Sequence, residues 1–288
     1  PEFSRQSKGL PVVNLIQVEK GEMVNSIVKV TKDEIGVVDN LIFVTKSGLV
    51  KRTSLEEFKN IRQSGKICIT LKEDDELIAV KKTTGNDFVL LGSSNGRMVK
   101  FNENDVRIMG RTASGVKGIE LDDSTCIGAE IASEEDVVII VTKKGYGKQT
   151  TVRDYRETKR GSKGVKALSI TDKNGDIASF KIARPDTDIV IITDAGMVMR
   201  MPLDQISVLG RVTQGVRLIN LKDEHTVATI SLVDKEKDEE ISAEEVVENS
   251  EVINNDNSDV VELAEKEISE SENSEISQSD VVVENSEN

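Results

Sequence analysis

The residues with the clearest chemical potential in this sequence are basic, and they keep step with a repeat. Gly48, Gly96, Gly145 and Gly196 lie 48, 49 and 51 residues apart, and a cation falls three or four positions after each: Lys51 and Arg52, Lys100, Lys148 and Arg200. A second glycine series, Gly9, Gly65, Gly115, Gly164 and Gly215, is preceded at three or four positions by Arg5, Arg62, Arg111, Arg160 and Arg211. It is followed by Lys66, Lys117, Lys166 and Arg217, and residues 158–164, TKRGSKG, add Lys163. Taken singly, each is an ordinary solvated strand charge. A surface charge unrelated to function has no reason to keep phase with a repeat, so the phase carries the inference. Fixed cations in a periodic array suit a polyanion, and a DNA duplex carries one charge per ~1.7 Å of axis. No recognition helix and no set of base-reading side chains is evident, which points to contacts with the backbone rather than the bases.

Other chemistry is sparse. His225 is the only histidine and lies in the polar run Lys222-Asp223-Glu224-His225, where a solvated loop residue is expected rather than a general base. Tyr146 holds the slot that Leu49, Arg97 and Met197 hold in other repeats, and Tyr155 falls near Phe58 in register, so neither reads as a nucleophile. Cys68 and Cys126 sit at non-equivalent places and read as buried free thiols inside apolar strands of a protein from a reducing compartment. No Cys-x-x-Cys pair or phosphate-cradling GxxxxGK[ST] loop occurs, and neither a metal nor a nucleotide cofactor is expected in this chain.

The elements that must position the cations are strands. VNSIVKV (24–30), LIFVTK (41–46), FVLLG (88–92), VVIIVT (137–142) and DIVIIT (188–193) are short, β-branched and bounded by turn residues. Lys46-Ser47-Gly48, Ser94-Asn95-Gly96, Lys143-Lys144-Gly145 and Asp194-Ala195-Gly196 read as hairpin turns, since glycine accepts positive φ. After each turn apolar and basic residues alternate, which predicts one set inward and the other in solvent. A module of about fifty residues thus holds four short strands and cannot bury both faces alone. The expected fold class is all-β: a propeller-like ring of four-stranded blades, with a linear solenoid ranked second because its rungs are usually shorter. Tryptophan is absent, which excludes the common Trp-Asp type of propeller.

Charge divides the chain. Residues 233–288 hold 20 Asp and Glu against 3 Lys, which leaves +3 on residues 1–232. The expected organisation is a β domain over 1–232 and an acidic disordered tail over 233–288, with a charged helix at 242–268 as the alternative. The tail, a tethered polyanion, either competes with DNA for the basic rim or only solubilises the chain. The apolar runs are strand-sized, no signal peptide is visible, and no membrane partner is expected. The chain starts at Pro1 without an initiator Met and carries five second-series segments against four of the first, which reads as a piece beginning inside a module.

The body resembles the C-terminal DNA-wrapping domain of bacterial DNA gyrase A. The resemblance rests on PEFSRQSKGLPVVNL, GLVKRTSLEEFKNIRQSGKICITL, VRIMGRTASGVKGIEL, GYGKQTTVRDYRETKRGSKGVKAL and ITDAGMVMRMPLDQISVLGRVTQGVRLI, and covers residues 1–232. It implies a six-bladed β-pinwheel whose adjacent blades exchange strands and whose basic rim wraps double-stranded DNA. By that analogy the chain holds the end of the second blade and the third to sixth. It also implies a bacterial cytoplasmic type II topoisomerase with gyrase B as partner in an A2B2 assembly, its ATP and Mg sites and cleavage tyrosine lying elsewhere. The family's signature box, Gln-Arg-Arg-Gly-Gly-Lys-Gly, belongs to the first blade; the nearest stretch here is 158–164 in a later blade. That departure keeps two alternatives in view: the related C-terminal domain of topoisomerase IV, and a protein-interaction propeller that binds no nucleic acid.

Overall fold

The β-branched runs of this sequence pair into four antiparallel sheets in the computed structural model, which describes residues 8–11, 14, 16, 24, 26–31, 39–59, 65–222 and 224–235. One unit spans residues 1–235; Arg5, Arg62 and everything from 236 on lie outside the described residues, so the expected tail does too. Each of the first three sheets is built on a hairpin: β1 (Asn40–Thr45) with β2 (Leu49–Ser54), β4 (Phe88–Ser93) with β5 (Arg97–Asn102), and β8 (Val137–Thr142) with β9 (Tyr146–Thr151). A third strand flanks the first strand of each hairpin: β3 (Leu77–Thr83), β7 (Cys126–Ala132) and β11 (Ile177–Ala183).

The fourth strand comes from the next module. β6 (Val116–Lys117) follows β5 in the chain yet pairs with β2, β10 (Val165–Lys166) pairs back to β5, and β14 (Val216–Arg217) pairs back to β9. The last sheet has three strands among the described residues, β13 (Val198–Pro202), β12 (Thr187–Thr193) and β15 (Val227–Asp234). The donor segments turn on the second glycine series. Gly215 adopts φ +81°, and a Cβ there would stand 2.7 Å from the Gly147 carbonyl oxygen, so the segment docks only because it has no side chain at that point.

The core lies between successive sheets, and the strand sequences explain it. In β4, Val89 and Leu91 pack with Ile42, Val44 and Val50 of the first sheet, while Leu90 points the other way to Val138 and Ile140 of the third. In β8 the alternation repeats: Val138 and Ile140 face back, and Ile139 and Val141 face Ile189 and Ile191 of the fourth sheet. Both faces of a middle sheet are therefore dry, which is why its central strands read as continuous apolar runs. Sheets stacked face to face in this way are the blades of a propeller, joined here by exchanged strands.

Two expectations need correction. Among the described residues of 24–30 no strand forms, and none of the described strands pairs with them. Cys68 is half-buried in an extended segment outside any strand, whereas Cys126 is buried in β7, where burial pushes its thiol up to about 12.

Candidate nucleic-acid interface

The hairpin cations do not form an outer surface. The strand registers place Ser54, Asn102, Thr151 and Pro202 at one equivalent position, so Lys51, Val99, Lys148 and Met199 form one series and Arg52, Lys100, Gln149 and Arg200 another. Lys51, Lys100 and Lys148 are fully or almost fully buried, and Arg52 is 7% exposed. Lys148 donates to the carbonyls of Gly210 (2.8 Å) and Arg211 (2.6 Å), and Lys51 to those of Cys68 and Arg111. The second series reaches the 3-10 turn at the start of the next blade's loop: Arg52 to Glu103 (3.2 Å) and Asn104 (2.8 Å), and Gln149 to the Leu203 and Ile206 carbonyls (both 2.8 Å). Lys100 bonds Glu134 at 2.8 Å and the Val152 carbonyl at 3.4 Å. Arg200 is exposed but bonded to Asp188 (2.7 Å) and the Asp234 carbonyl (3.1 Å).

The expectation that Lys51, Arg52, Lys100 and Lys148 meet a phosphate is therefore corrected: they are struts between blades. Period-two alternation puts one set of side chains in water only when a sheet has a wet face; the two middle sheets are covered on both, and Lys51 and Arg52 of the first are bonded into the second blade. A long aliphatic stem lets lysine cross apolar ground and spend its charge on loop carbonyls. Desolvation lowers the Lys51 ammonium from its ordinary value and takes Lys148 down to about 8, with the Arg211 charge adding to the effect at Lys148.

The donor segments are different. Arg111, Arg160 and Arg211, half-buried, each clamp the preceding donor segment at the same point: Arg111 to the Ile67 carbonyl (3.3 Å), Arg160 to Lys117 (3.2 Å), Arg211 to Lys166 (2.6 Å). Each also holds the end of the preceding 3-10 turn, through Glu57 (3.5 Å), the Asp105 carbonyl (2.8 Å) and the Asp154 carbonyl (3.1 Å) respectively. This ladder fixes one donor segment against the next. Lys66 is half-buried with its ammonium on the Glu57 carbonyl at 3.2 Å.

Exposed cations stand on these clamped segments. Lys117 pairs with Glu120 (2.5 Å) and Lys163 with Asp122 (2.7 Å), surface pairs worth little and easily exchanged for another anion. Arg217 is oriented by the Tyr146 hydroxyl (2.9 Å) and Asn220 (2.9 Å), its guanidinium 5.3 Å from the Tyr146 ring. Lys166 is exposed and has no carboxylate partner among the described residues. The donor loop that leads into β10 is the densest: Arg156, Lys159, Arg160, Lys163 and Lys166 against the single acid Glu157. Arg107, Arg156 and Lys159, all exposed, and half-buried Arg97 escaped the glycine-counting argument because they lie off its two registers. Tyr155, Val152 and Ala167 fill the core under this loop, which anchors it.

Chemically, the site offers hydrogen-bond donors and fixed positive charge along successive exchanged segments. Among the described residues no group of three or more His, Cys, Asp or Glu could hold a metal, and no helix is long and apolar enough to cross a membrane. His225 stays a loop residue, 3.3 Å from Asp194.

The model of the family described as "DNA gyrase C-terminal domain, beta-propeller" matches residues 39–84, 87–133, 136–184 and 187–234, one match to each sheet. The chain is similar to DNA gyrase A of Staphylococcus epidermidis, 45% identical over 241 residues, which are 83% of this chain and 27% of that protein. It is also similar to DNA gyrase A of Ureaplasma parvum, 43% identical over 252 residues, 87% of this chain and 29% of that one. The chain thus spans between a quarter and a third of these relatives. Among solved structures, the C-terminal domain of DNA topoisomerase IV superposes with a TM-score of 0.72 over 84% of this chain and 75% of that one. The DNA gyrase A C-terminal domain superposes with 0.69 over 78% and 75%. Both are 24% identical and speak to the fold alone.

Proposed function

Because the chain belongs to the DNA gyrase C-terminal domain family, we propose that it binds double-stranded DNA without regard to sequence and wraps it along the exchanged donor segments. The observation that carries this reading is the arginine ladder. Three guanidiniums repeat one contact from blade to blade and tie together the segments that carry Lys117, Lys163 and Lys166, while Arg217 is held by Tyr146 and Asn220. Smoothly bending 20–30 bp costs on the order of 1–6 kcal/mol, which several phosphate contacts offset only if the cations are already in place. In this reading the DNA-wrapping role serves a bacterial gyrase A protein, with gyrase B and its ATP site as partners in an A2B2 assembly in the cytoplasm. The strand cleavage chemistry then lies in other parts of that enzyme. The names of the more closely related proteins favour gyrase over topoisomerase IV.

A gel-shift titration with a random-sequence duplex of about 40 bp tests the proposal across salt. Each neutralised phosphate contributes roughly −0.9 to the slope of log affinity against log salt. About five contacts would give a slope near −4 to −5. No retardation at low salt would leave only a protein-interaction propeller.

A further inference from the structure

The three exchange seams differ at one place. The donor cation stands opposite Leu49 in the first seam (Lys117), opposite Arg97 in the second (Lys166), and opposite Tyr146 in the third (Arg217). Directly opposed residues share a face of the sheet with Cβ atoms about 4.5–5.5 Å apart, and like charges there are destabilising. In the first seam Lys117 is neutralised by Glu120, three residues on; in the third, Arg217 is held by Asn220 at the same offset and by the Tyr146 hydroxyl. In the second seam that offset is Ser169, which carries no charge. Arg97 gives one N–H to the Gly164 carbonyl at 3.3 Å, and neither it nor Lys166 has a carboxylate partner among the described residues. Arg211 grips the Lys166 carbonyl, so a second guanidinium holds the segment in place.

Two cations opposed across one strand pair without an anion make an incomplete site. We propose that Arg97 and Lys166 form a clamp for a single phosphodiester of the duplex and are the strongest phosphate anchor of the described blades. The proposal rests on the DNA-binding reading above. The bound phosphate supplies the negative charge that Glu120 supplies next door, which also relieves the cross-strand repulsion.

The test compares wild type with Arg97→Leu, Lys166→Gln and the double variant, and with Lys117→Gln as the neutralised control. Leucine is the residue the first seam already uses opposite its donor cation, so the fold accommodates it. Each single clamp variant should lower duplex affinity several-fold at about 100 mM salt and flatten the salt slope by about one contact. The double variant should lose less than the sum, because both side chains serve one phosphate. Lys117→Gln should change affinity less than either. In thermal melts without DNA, Arg97→Leu should match or exceed wild type, and pyrophosphate at matched ionic strength should raise the melting temperature of wild type alone. If wild type binds DNA but the clamp variants behave like Lys117→Gln, or if their losses add fully, the clamp is overturned while DNA binding stands. If wild type binds no duplex, the parent reading fails and the pyrophosphate arm decides the seam. A rise in wild type absent from Arg97→Leu upholds an anion site, and no difference overturns it.

Discussion

Lys148 shows how far a side chain's surroundings can overrule its type. Its ammonium is enclosed, bonded to the carbonyls of Gly210 and Arg211, and faces the Arg211 charge with Asp154 opposing; burial leads these effects and brings it to about 8. The unfolded chain holds the same proton to roughly pH 10.4. Below pH 8 both states are protonated and the desolvation cost stands in full. Between about 8 and 10.4 the folded lysine releases its proton while the unfolded one keeps it, so this group's contribution to stability rises with pH. Lys148→Met removes that rise and leaves two carbonyls without their donor, a loss of about 1–2 kcal/mol at pH 7. Denaturant unfolding of both proteins from pH 7 to 10 should show the gap widening as pH increases; a constant gap would place the proton elsewhere. Charge was readable in the sequence, but which lysines face water was not, because alternation along a strand says nothing about how many of its faces are covered.

At the level of elements, the hairpins were legible and the exchange was not. The runs ending in Gly48, Gly96, Gly145 and Gly196 predict strand, turn and strand by composition alone, and β1, β4, β8 and β12 lie where those runs are. The donor strands β6, β10 and β14 are two residues each, too short to carry a periodic signal. Only the second glycine series marks them, and the glycine records a close approach without naming the strand approached. This distinction is measurable. Gly196 and Gly215 both hold positive φ, at +76° and +81°, but a Cβ on Gly196 meets nothing within 4 Å while one on Gly215 meets Gly147. Gly196→Ala should therefore cost only the left-handed strain of about 1–2 kcal/mol. Gly215→Ala should cost more than that, since it also forces β14 off β9. Equal losses in chemical denaturation would mean that the exchanged strand contributes little to the stability of the third sheet.

For the molecule as a whole, binding and wrapping are separable, and the charge layout bears on both. In the proposed reading, the +3 of residues 1–232 is too small to draw a duplex by net charge, and the attraction comes from cations concentrated on the donor segments. Clamped as they are by Arg111, Arg160 and Arg211, these segments hold their spacing when DNA is absent, and the duplex alone must deform. A rigid array of this kind imposes its own handedness on whatever bends along it, and closed circular DNA records that handedness. Relaxed plasmid incubated with the chain and a type I topoisomerase, then freed of protein, should carry a shifted linking number that grows with protein added and vanishes at high salt. Arg160→Ala breaks the rung beneath the densest loop without removing an outward lysine, so it should reduce the trapped linking difference more than it reduces affinity. A duplex that is bound and retarded in the gel, with the plasmid left unshifted, would mean bending without a fixed hand. That outcome would favour the topoisomerase IV reading over gyrase.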